Sequence, residues 1–82
     1  MKNTHPIILI PDTNGYTVYI PDFDIYTQGN DVTEAITMSR DAIKLVSDVM
    51  KDDNKTIPTP SKVDDIKIKN GELLNFVDVD LT

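Results

Sequence analysis

The chain has 82 residues, room for one small domain, and carries no cysteine, which excludes disulfide staples and thiolate metal sites. Fourteen acidic residues against eight basic ones leave a formal charge of −6. The basic residues are scattered, and only Lys67 and Lys69 sit close together, so the basic patch that direct nucleic-acid binding requires is missing. An acidic surface suits a basic protein partner, because complementary charge steers association.

The first apolar run, "HPIILIPD" at residues 5–12, is rich in β-branched residues and closed by Pro11. It predicts a buried strand and is too short for a signal or membrane segment. With no cysteine, the chain reads as cytoplasmic, with no membrane association. Asn14-Gly15 is a hairpin signal of the type I′ kind. Tyr16, Val18 and Ile20 then alternate with Thr17 and Tyr19 as a second strand, and "IYTQG" at residues 25–29 reads as a third. These strands predict a three-stranded antiparallel meander.

Asp31 followed by Glu34 is a capping box that opens a long helix. Apolar or small residues recur at helical spacing from Val32 to Met50, where Lys51-Asp52-Asp53-Asn54 turns polar. The apolar face must cover the meander. Met38 and Leu45, seven residues apart, lie off that face as a flanking ridge. Ile57-Pro58-Thr59-Pro60 must be extended. Ser61 with Asp64 predicts a short second helix over Ser61 to Ile66, and "ELLNFVDVDL" predicts a final strand. Val77, Val79 and Leu81 should pack under the helix. Leu74, Phe76, Asp78 and Asp80 share the other face, a candidate subunit interface. The order β-β-β-α-α-β is an α+β sandwich, with the strand-and-helix order of the opening half of an RNase H-like fold.

Chemistry is hard to assemble from these residues. His5 is the only histidine and reads as an ordinary surface or edge residue; no zinc set or glycine-rich phosphate loop accompanies it. A two-metal nuclease needs a carboxylate midway along the first strand, and Ile7-Ile8-Leu9-Ile10 has none. Asp12 and Asp78 are the acids on which a residual metal-dependent nuclease would have to rely. No cofactor, metal site or catalytic residue is therefore expected.

Several short motifs fall in order along the chain: Tyr16-x-Val18, "IPD" at 20–22, "TQG" at 27–29, "NDVTEAI" at 30–36, "RDAI" at 40–43, "IPTPS" at 57–61 and "FVDVDL" at 76–81. Together they resemble the HicB antitoxin family. The resemblance implies a degenerate, non-catalytic RNase H-like domain acting as the antitoxin of a type II toxin-antitoxin system. It implies binding to a HicA-type toxin, a small basic ribonuclease that cleaves mRNA, and a tendency to form homodimers or larger homo-oligomers. Pro21-Asp22-Phe23-Asp24-Ile25 departs from the family's Pro-Asp-Leu-Pro-Gly-Cys. Asp22, Phe23 and Asp24 there, with Asp12 in the neighbouring hairpin, are the candidate toxin-binding residues. Many family members carry a C-terminal DNA-binding domain; this chain stops after the last strand and is expected to be a single antitoxin domain over 1–82. A stand-alone dimeric regulatory module is the remaining competing reading.

Overall fold

Alternating side chains in the first third of the chain do form consecutive antiparallel strands. The computed structural model describes residues 2–81: β1 Lys2–Asp12, β2 Gly15–Ile20, β3 Ile25–Gly29, α1 Val32–Asp52 and β4 Leu73–Asp80. The four strands make one sheet in the order β3-β2-β1-β4, antiparallel throughout. β1 starts earlier than the apolar run suggested because two partners share it. β4 pairs with Lys2 through Leu9, and β2 pairs with Ile8 through Asp12.

The β1–β2 connection differs from a type I′ turn. Asp12 pairs with Gly15, so the loop is Thr13-Asn14, and Asn14 does not take a positive φ. The Asp12 side chain replaces that geometry by accepting the Asn14 N–H at 3.0 Å and the Thr17 hydroxyl at 3.0 Å. Gly15 (φ +142°) is still required: a Cβ there would lie 2.5 Å from the Gly29 carbonyl oxygen. Gly29 in turn lets the helix start close to the sheet, since its Cβ would fall 2.4 Å from the Ala35 nitrogen.

α1 opens as the capping pattern requires. Asp31 accepts the Glu34 N–H at 2.8 Å, and Glu34 reaches back to the Asn30 N–H at 2.8 Å. The helix continues two residues past Met50 and closes where Asn54 takes a left-handed conformation, φ +59°. Ala35, Ser39, Ile43 and Ser47, one per turn, are its buried residues. Small residues at three of these four positions let the helix lie close against the strands. The Ser39 hydroxyl is satisfied by the Ala35 carbonyl at 2.7 Å. Beneath lies an apolar core of Ile7, Leu9, Val18, Ile20, Ile43, Val77, Val79 and Leu81. The inward face expected of β4 is therefore the observed one, whereas Val49, inside the span of the helix's apolar stripe, is exposed.

Of the short second helix only a single 3-10 turn, Val63–Asp65, is present. Its cap residue makes no side-chain hydrogen bond, and the Ser61 hydroxyl that would have capped a longer helix donates to Asp22 instead. The connection then passes the sheet face opposite the helix, where Lys67, Lys69 and Glu72 border a depression with Ile8, Ile10, Tyr19 and Tyr26. The α+β architecture is thus a four-stranded sheet with one long helix on one face.

Candidate functional site

β2 separates the acids expected to act together. Pro21 to Asp24 connects β2 to β3 at one end of the sheet, and Asp12 lies at the other, so the two groups stand roughly 16 Å apart along the strand. Asp12, Asp22, Phe23 and Asp24 do not form one patch.

At the loop end, Asp22 is an internal group. Its side chain is 4% exposed and its Oδ2 accepts the His5 Nδ1–H at 2.7 Å. Ser61 donates its backbone N–H at 3.0 Å and its hydroxyl to the same carboxylate. One acid thereby ties β1, the β2–β3 loop and the long connection together. A carboxylate only accepts hydrogen bonds, so Nδ1 is the donor in this contact. Burial alone would push the Asp22 carboxyl up. The bonds from the Ser61 hydroxyl, His5 and the Ser61 backbone outweigh it and hold the group below its usual value.

His5 corrects the expectation of a surface residue. It is fully buried, Phe23 meets its ring edge-on at a centroid distance of 5.0 Å, and its Nε2 has no hydrogen-bond partner among the described residues. The missed signal was phase: His5, Ile7 and Leu9 alternate on the helix-facing side of β1. Phe23, expected as an exposed aromatic, is half-buried against the core. Asp24 is the exposed member of the loop. It takes φ +52°, a conformation aspartate tolerates better than most residues, and accepts the Tyr19 hydroxyl at 2.8 Å. That bond, with burial and the Asp24 charge behind it, raises the Tyr19 phenol.

At the hairpin end, Asp12, Asn14, Tyr16, Gln28, Glu34 and Met38 border a groove of about 590 Å³ between the β1–β2 turn and the first turns of α1. This grouping was not anticipated. Leu74, Phe76, Asp78 and Asp80 face away from the helix, opposite Ile8, Pro6, Thr4 and Lys2 of β1. Phe76 is 43% exposed, and Asp78 accepts the Thr4 hydroxyl at 2.6 Å and, through its carbonyl, Arg40 Nε at 2.9 Å.

Among the described residues, no three His, Cys, Asp or Glu side chains stand together as a metal-holding group. Among these residues no helix is long and apolar enough to cross a membrane. The arrangement offers acids and half-exposed apolar groups on separate faces, a set suited to protein contact.

The fold matches a toxin-antitoxin complex from Streptococcus pneumoniae with a TM-score of 0.82 at 23% identity, covering 99% of this chain and 71% of that one. A HicA3 and HicB3 toxin-antitoxin complex matches with a TM-score of 0.75 at 23% identity, over 94% of this chain and 98% of that one. At such identity these two establish the shared fold. The antitoxin HicB of Burkholderia pseudomallei matches with a TM-score of 0.78 at 27% identity, over 98% of this chain and 64% of that one. No curated protein matches in sequence. The model of the HicB-like antitoxins of bacterial toxin-antitoxin systems matches residues 5–82, nearly the whole sequence, and the chain belongs to that family.

Proposed function

We propose that this chain neutralises a HicA-type mRNA-cleaving ribonuclease toxin by binding it, and has no catalysis of its own. The observation that carries this is the family match over residues 5–82 in a chain of net charge −6. Carboxylates employed in structure support binding over hydrolysis: Asp22 is an internal tie, Asp31 and Glu34 cap a helix, and Asp12 closes a turn. In this reading the domain is a degenerate relative of the RNase H-like fold, works in the cytoplasm, and contacts no nucleic acid directly.

Asp24 and Asp12 are the exposed acids offered to a basic toxin, with Asp22 and Phe23 fixing the loop that carries Asp24. The outer face of β4, led by Leu74 and Phe76 with Asp78 and Asp80 beside them, is the contact for a second copy in a homo-oligomer. Co-expression with a HicA-type toxin, followed by purification and an RNA-cleavage assay, tests the reading. A stable complex with suppressed cleavage is expected; free toxin with undiminished cleavage would refute it. Within the complex, Asp24→Lys should slow association at low salt, and an unchanged rate would remove the loop from the interface.

A further inference from the structure

We infer that the outer flank of α1 is a docking surface for an amphipathic helix of the basic partner, one whose apolar stripe is bordered by lysine and arginine; this rests on the antitoxin reading. Met38, Ala42, Leu45 and Val49 follow one another at intervals of four, three and four residues, the spacing of a helix-pairing seam. The core does not account for three of them. Leu45 is 67% exposed, Val49 53% and Met38 40%, although the helix buries Ala35, Ser39, Ile43 and Ser47 elsewhere on its circumference. Apolar side chains lined up on a solvated helix mark a contact surface more strongly than isolated ones.

The charges beside the seam identify its occupant. Glu34, Asp41 and Asp48 recur every seven residues along its solvent side, and all three are exposed. Helical geometry puts this acidic row next to the seam for its whole length. Arg40 and Lys51 lie on a different side. Arg40 donates to the Asp78 carbonyl of β4 and Lys51 to the Leu81 carbonyl, so that flank is turned toward β4. Met38 and Glu34 instead border the groove at the hairpin end, together with Asp12 and Gln28, so seam and groove are continuous. A second copy is a poor occupant: it carries the same net charge of −6, and an antiparallel two-fold contact would bring the acidic row against its own twin. A basic helix places its apolar stripe on the seam and its cations on the acids.

The test uses the complex of this chain with a HicA-type toxin, compared with Leu45→Glu, Asp41→Lys/Asp48→Lys and Lys44→Ala. Leu45→Glu should weaken affinity at least about tenfold, the loss typical of a buried interface anchor. The double charge reversal should slow association several-fold at low salt and much less at high salt. Lys44→Ala, away from the seam, should change affinity less than about twofold. Circular dichroism checks that each variant is folded. Wild-type binding with Leu45→Glu equally tight would overturn the seam and leave the antitoxin reading standing. No wild-type complex would remove both. If sedimentation shows that wild type alone is a dimer and Leu45→Glu a monomer, the occupant is a second copy and the inference fails.

Discussion

The two ends of the sheet use the same residue type in opposite ways. At the loop end Asp22 is enclosed, and three donors from two distant segments converge on it. At the hairpin end Asp12 is exposed and satisfies only its own turn. An acid in an acidic protein is therefore not automatically part of its charged surface. Enclosure converts one into a cross-link within the fold, and exposure leaves the other available to a partner.

The largest break in this contrast is Asp22→Ala. It strands the His5 and Ser61 donors in a low-dielectric site and should destabilise the fold by about 3 kcal/mol, read as a lower urea midpoint. Asp12→Ala should cost less than about 1 kcal/mol, because water replaces the lost acceptor. Equal losses at the two positions would abolish the distinction.

Acid sharpens it. The folded-state value of Asp22 is depressed, so its contribution is fully present above the unfolded carboxylate value of about 3.9 and is lost as pH falls through the lower folded value. In that window the unfolded chain binds more protons, so stability rises with pH. Ser61→Ala removes the strongest bond opposing burial and should move the Asp22 carboxyl upward in a ¹³C NMR titration; an unmoved resonance would contradict the assignment.

A smaller loss, about 1 kcal/mol, is expected for Asp31→Ala, which leaves the Glu34 N–H at the helix start without its acceptor. Thermal denaturation measures it. Smallest of all, Leu45→Glu should shift stability by no more than about 0.5 kcal/mol despite its effect on binding, as befits a side chain outside the core. A large drop in melting temperature would show that the seam is packed.

What was legible in the sequence was local. Alternation located the meander, the Asp31–Glu34 pair located the helix start, and the phase of Val77, Val79 and Leu81 located the inward face of β4. The tie at Asp22 spans 17 residues to His5 and 39 to Ser61, and no periodicity relates those positions. The expected helix after Ser61 shortened for the same reason: a distant acceptor took the hydroxyl that local pattern assigned to a cap. Asp12 and the Asp22 loop were grouped because they are close in sequence, yet a six-residue strand holds them at opposite ends of the sheet. Exposure of Val49 depended on how the helix is rolled on the sheet, a property set by the small residues Ala35, Ser39 and Ser47 beneath it.

The pairing of Lys2–Leu9 with Leu73–Asp80 has a consequence in time. β1 is made before the other described elements, and the strand that completes it is made more than sixty residues later. Until then the nascent meander presents one unpaired edge of β1, with Ile7 and Leu9 lacking the cover of Val77 and Val79. Closing so long a loop is intrinsically slow. The domain therefore completes its core only when translation has passed β4, and a ribosome stalled within the 53–72 connection would hold an open-edged chain prone to pairing with others.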